Sequence, residues 1–239
     1  MKSKKFNQVQ LLTRQFPTSE ENVAFDFQSR CVCALFARAA RERGAELPDA
    51  WGLVGEFVAA GTEPARLVPG DGGVARVIQT ADVTGVLALP DSERKRAFLH
   101  LVLRTLDAFF EGATPRAFLD AASDVRTADF VNTWTWQPGT RRSPDRRWRT
   151  VVTVLHDLRE YQVRLEVLDE RALPAYEQVL ARGDRPDETI INGHLGELAW
   201  DEPCRLVLRP RLPGSAPVVV ELPSSFAEAR LDFRQSPAA

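Results

Sequence analysis

The stretch Thr114–Trp136, TPRAFLDAASDVRTADFVNTWTW, decides the fold class because its rhythm changes near residue 127. Thr114 supplies a capping side chain and Pro115 a proline at the first helical position, opening a helix that reaches about Asp124. From Phe130 to Gln137 apolar and polar residues alternate instead, as on a half-buried strand. Upstream of this switch, apolar residues recur at helical spacing between caps. Downstream they alternate in short runs broken by proline, glycine and asparagine.

Upstream, one helix is expected from Ser19 to Arg43, with Ser19 as its cap, Glu20 and Glu21 near the positive end of its dipole and Gly44 ending it. Phe27, Cys31, Ala34, Leu35 and Ala39 would form its inward face. A second helix fits Asp49 to Ala60, with Trp51, Val54, Phe57 and Val58 inward. Residues 4–13 read as a leading strand or arm. Leu67-Val68 and Val74 to Ile78 flank a glycine-rich turn and read as a small hairpin. The third helix, Glu93 to Glu111, is apolar on two sides, with Phe98, Leu101, Val102, Thr105 and Phe109 on one and Leu99, Leu103 and Leu106 on the other.

Downstream, strands are expected at Phe130–Gln137, Trp148–His156, Tyr161–Leu168, Cys204–Arg209 and Val218–Leu222, with Asp157 to Glu160 as a tight connection. Leu173 to Ala181 reads as a short helix, and Asn192-Gly193 as a hairpin turn. The expected fold class is therefore α+β. Residues 1–126 form a helical layer of about four helices, packed on a mainly antiparallel sheet from residues 127–239. The doubly apolar third helix would lie between them in one continuous domain.

Composition narrows the function class. The chain has 239 residues and a net charge of −2, split between neutral residues 1–126 and −2 on residues 127–239. That balance argues against a general nucleic-acid or anionic-membrane binder. Three cysteines, Cys31, Cys33 and Cys204, make no disulfide framework and suit a reducing compartment. No apolar region follows the basic start, and no run reaches the roughly 18–20 apolar residues of a membrane span. The expectation is a soluble cytoplasmic protein. Arginine outnumbers lysine 27 to 4, the bias of a GC-rich bacterial genome, so isolated arginines carry little weight.

The most distinctive local feature is a basic loop. Arg141, Arg142, Arg146, Arg147 and Arg149 face a single Asp145 and are flanked by Trp134, Trp136 and Trp148. Tryptophan and arginine are the side chains that anchor protein interfaces, so the partner-binding residues expected are Trp134, Trp136, Arg141, Arg142, Arg146, Arg147 and Trp148. An acidic protein surface fits better than nucleic acid, because nothing else in the chain is basic.

Catalytic signatures are weaker. Cys31-Val32-Cys33 on a helix puts its sulfurs about 200° apart, which suits buried small apolar residues better than a redox or zinc pair. His156-Asp157, with Cys31, is the first group from which a hydrolase-like site could assemble in three dimensions, and His194 with Glu197 the second. His194, Glu197, Asp201 and Glu202 straddle a turn and lack metal-ligand spacing; His100 has no second histidine four residues away. Asp184, Asp187 and Glu188 around Pro186 read as an exposed linker. The sequence thus points to a non-enzymatic protein-binding module, an immunity-type inhibitor or adaptor, with no cofactor and no metal. An enzyme assembled around His156 and Asp157, or a structural subunit of a larger assembly, is the alternative. The oligomeric state stays open.

Overall fold

A computed structural model describes residues 2–59, 66–68, 71–223 and 226. The chain divides into two compact units, Met1–Asn132 with Asp157–Arg159, and Thr133–His156 with Glu160–Ala239.

The N-terminal unit begins with β1 (Ser3–Lys5) and β2 (Gln8–Thr13), followed by α1 (Ser19–Glu42), β3 (Glu46–Pro48) and β4 (Gly52–Val58). Next come β5 (Arg66–Val68), β6 (Val74–Thr80), α2 (Asp91–Phe109) and α3 (Arg116–Thr127), which opens at Pro115 without a side-chain cap, so the expected Thr114 cap is not made. Strands β2, β4 and β6 are parallel neighbours, β5 closes that sheet antiparallel to β6, and β1 pairs with β3 in a separate ribbon. The predicted hairpin is present as β5 and β6, although the proline and first glycine of its turn lie outside the described residues.

Helix α1 starts at a capping box built on Thr18, one residue before the expected cap Ser19, which is already helical. Thr18 Oγ1 accepts from the Glu21 amide at 3.1 Å, and Glu21 reaches back to the Thr18 amide at 3.3 Å. Gly44, at φ 69°, follows its end. The buried stripe is centred on Phe25, Ser29, Val32, Phe36 and Ala40, so the expected face is rotated. Phe27 is instead half-buried, with the Arg30 guanidinium 5.0 Å above its ring.

The expected helix at Asp49–Ala60 is replaced by β4, the central parallel strand. Buried on both faces, such a strand reads as a near-continuous apolar run, which imitates helical spacing over two turns. Asp49 is not a helix cap but a left-handed turn residue at φ 53°, and its Oδ1 accepts from the Lys2 amide. Gly55 is required by close approach: a Cβ there would sit 2.3 Å from Thr105 Oγ1 on α2. That hydroxyl donates to the Leu101 carbonyl at 2.8 Å and accepts from Gln79 Nε2 at 2.9 Å. Helix α2 therefore covers β4 and β6 of its own unit's sheet, and a phenylalanine cluster including Phe6, Phe25, Phe98 and Phe118 fills the space between the layers. The helices of this unit thus have a sheet of their own, which the reading of residues 1–126 as a helical layer missed.

The C-terminal unit contains β7 (Thr133–Thr135), β8 (Arg149–His156), β9 (Tyr161–Leu168), β10 (Pro174–Gly183) and α4 (Glu188–His194). It continues through β11 (Glu197–Glu202), β12 (Arg205–Arg209) and β13 (Val218–Glu221). All pairings are antiparallel, in sheets ordered β10-β9-β8-β7 and β11-β12-β13. Val152, Val154, Val163 and Leu165 from the first sheet share a core with Leu198, Leu206 and Leu208 from the second and Ile191 of α4.

Two local expectations fail here. Leu173–Ala181 is the edge strand β10, held by pairing with β9 and bulged between Pro174 and Tyr176 and between Val179 and Ala181. The Asn192-Gly193 turn lies inside α4, whose Asp187 cap accepts from the amides of Thr189 at 2.6 Å and Ile190 at 3.2 Å. Asp187 is consequently buried rather than part of an exposed linker. Among the described residues no helix is long and apolar enough to cross a membrane.

Candidate functional site

The basic loop folds into a turn at one end of the four-stranded sheet. Pro144 pre-sets the turn, the Arg146 amide donates to the Ser143 carbonyl at 2.9 Å, and Arg146 takes a left-handed φ of 64°. Asp145 Oδ1 accepts from Ser143 Oγ at 2.5 Å and from the Arg147 amide at 3.3 Å, and the Trp148 amide donates to Ser143 Oγ at 3.0 Å. At the base of the turn Arg142 and Arg149 form an antiparallel bridge. The one acid in the loop is therefore the clamp that shapes it.

A second turn, Asp169 to Leu173, lies at the same sheet end, because Leu168 pairs with both Arg149 and Pro174. It repeats the plan of the first. Asp169 Oδ1 accepts from the amides of Arg171 and Leu173, each at 2.8 Å, and Ala172 is left-handed at φ 61°. Between the turns lies a cleft of about 350 Å³. One wall carries Arg142, Arg146, Arg147, Arg149 and the Trp148 ring; Asp169, Glu170 and Ala172 form the other.

The cleft has four guanidiniums against two carboxylates. Among the described residues, the side chains of Arg142, Arg146 and Arg149 make no hydrogen bond or ion pair. Elsewhere in the same unit Arg164 lies 3.2 Å from Glu177, Arg182 3.7 Å from Glu160 and Arg205 3.3 Å from Glu221. Arg141 stands apart, its Nε donating to the Leu198 carbonyl at 3.4 Å.

The tryptophans do not form one exposed cluster. Trp136 is buried against Gly139, where a Cβ would meet its ring at 2.5 Å, and Trp134 is half-buried with its ring edge towards His156. Trp148 alone of the three lines the cleft. Its ring lies 4.3 Å from that of Phe226, and its Nε1 is buried with no acceptor among the described residues. Asp169, Glu170 and Ala172 were missed because Leu173 was read as a helix start, although Asp169-Glu170-Arg171 carries the acidic first position of a turn.

The groups singled out for catalysis are engaged otherwise. His156 is buried; Nε2 donates to the Pro186 carbonyl at 3.0 Å, and Nδ1 lies 3.7 Å from Glu188. Asp157 lies 2.8 Å from Lys95 and accepts from the Leu158 amide. Cys31 and Cys33 are buried in α1, as expected of small apolar side chains. His194 packs against Tyr161, with ring centroids 5.8 Å apart, rather than bonding Glu197. The Cys204 thiol is pushed up by burial and by the carboxylates of Asp145, Glu202 and Glu221, which keeps it protonated. Among the described residues no three His, Cys, Asp or Glu side chains are grouped to hold a metal.

Two larger depressions lie in the N-terminal unit. One, of about 560 Å³ beside the start of α1, brings Arg76 and Asp26 to its lining, but they already pair with Glu56 and Arg30. The other, of about 410 Å³, is lined by His100, Asp107 and Thr114 without a hydrogen bond between them. Compared with protein-family models, curated proteins and solved structures, the chain matches none, and its functional reading rests on the cleft itself.

Proposed function

We propose that this chain is a non-enzymatic binding module, and that the arginine cleft of its C-terminal unit docks an acidic segment of a partner protein. One observation carries the reading: Arg142, Arg146 and Arg149 line one concave site with no partner among the described residues, while Asp145 bonds within the turn. Unpaired guanidiniums on a pre-shaped turn favour an anionic ligand, since little ordering is needed when it binds. A cytoplasmic immunity-type inhibitor, which occludes a toxin's active site, and an adaptor are two roles that need such a surface and no chemistry. The commitment of His156 to Pro186 and Glu188 disfavours the hydrolase-like alternative.

The test is capture from the native lysate by tagged wild-type protein and by an Arg142→Glu/Arg146→Glu/Arg149→Glu variant of unchanged circular dichroism. A stoichiometric protein retained by the wild type, lost by the variant and weakened by raised salt supports the reading. A partner held equally by both overturns the choice of cleft. Co-purifying nucleic acid in place of a protein overturns the choice of partner.

A further inference from the structure

Resting on that reading, we infer that the group the cleft takes from its partner is a phosphomonoester, as on a phosphorylated serine or threonine. Charge and size point the same way. Arg142, Arg146 and Arg149, with no partner among the described residues, line a space of about 350 Å³, room for a side chain or two and not for a folded surface. A phosphomonoester carries a charge of about −1.5 to −2 and three strong acceptor oxygens in one compact group. Two carboxylates would have to be pressed together to supply the same charge, and their repulsion opposes that.

Geometry adds to this. Arg142 and Arg149 stand side by side on the two strands of a backbone bridge, and Arg146 lies on the turn above it. Three neighbouring guanidiniums offer more donors than a planar carboxylate can take, which two parallel N–H groups already saturate, whereas the three oxygens of a phosphomonoester can accept from all of them. The arginine bias of the chain explains the residue type but not the convergence. Asp169 and Glu170 on the far wall repel further acid, so the cleft selects one concentrated anion over a run of acidic residues.

The probes are fluorescent ten-residue glycine–alanine peptides carrying a central phosphoserine, serine, sulfoserine or Glu-Glu, titrated against the full chain at physiological salt. The phosphoserine peptide is expected to bind about tenfold more tightly than Glu-Glu, and Arg142→Ala and Arg149→Ala to weaken it about tenfold each. Arg164→Ala, outside the cleft, should leave it unchanged. Affinity should rise between about pH 5 and 7 as the phosphate takes its second charge, while the sulfoserine peptide stays flat. Equal binding of Glu-Glu, or indifference to both cleft variants, overturns the inference. Displacement of the peptide by AMP more readily than by inorganic phosphate overturns a protein side chain as the phosphate's source. Phosphatase treatment of the captured partner separates the two readings. Capture that survives phosphatase but is lost in the triple Glu variant overturns the phosphate alone; capture untouched by the triple variant overturns the docking site.

Discussion

Arg142 and Arg149 face each other across an antiparallel β-bridge, both lining one cleft, with no carboxylate among the described residues bonded to either. Directly opposed residues on one face have Cβ atoms about 4.5–5.5 Å apart, and like charges there are destabilising. The fold therefore carries a repulsion that an anion in the cleft would remove.

Replacing Arg142 with Thr should stabilise the protein by roughly 0.2–1 kcal/mol while weakening the partner. Thermal melts at low and high salt check this, since the gain should shrink as salt screens the repulsion. A variant that loses stability at low salt would contradict it.

Arg146 separates backbone strain from side-chain function. At φ 64°, Arg146→Gly should stabilise the turn by about 1 kcal/mol, whereas Arg146→Ala should not, and both should lose affinity. Asp145→Ala should instead loosen the turn by removing the acceptor of Ser143 and Arg147, visible as faster amide exchange at Arg147 and Trp148.

In the N-terminal unit, Gly55→Ala should cost about 1–3 kcal/mol, because its Cβ would fall 2.3 Å from Thr105 Oγ1. Adding Thr105→Ala should recover part of that loss, as a double-mutant cycle in urea would register. Additive costs would mean that α2 and β4 do not touch there.

Acid stability should depend in part on Asp124. Its hydrogen bonds from Arg43, at 2.7 Å, hold its carboxyl below the ordinary value of 3.8. A depressed pKa contributes stability above the unfolded-state value and loses it as pH falls through the folded one. Asp124→Asn should therefore lower stability at pH 6, and the difference should shrink as pH falls below 3.8 and the folded carboxyl takes up its proton. The pair is exposed, so the effect should be small; urea midpoints across that range test its sign.

Where local cues and tertiary partners agree, the sequence was sufficient. Strands β8 and β9 follow the alternation of Tyr161 to Leu168, because half-burial acts within a few residues, whereas the cap of α1 fell on Thr18 and not on the expected Ser19. Helix α2 was legible from its apolar periodicity, although it opens at Pro90 without a side-chain cap. The basic loop, too, was visible as a charge cluster. Tertiary structure decided the rest. Trp51, Val54, Phe57 and Val58 keep helical spacing, yet β2 and β6 on either side make their segment a strand buried on both faces, and Gly55 marks where α2 presses on it. Asn192-Gly193 can turn a hairpin, but the buried Asp187 caps a helix through it. The cleft was hidden likewise: Asp169 and Glu170 lie more than twenty residues beyond Arg147, and only the register of β8, β9 and β10 brings their turn opposite the arginines. Periodicity reports what a segment can do alone; hydrogen-bonded neighbours, distant in sequence, choose between the options it leaves.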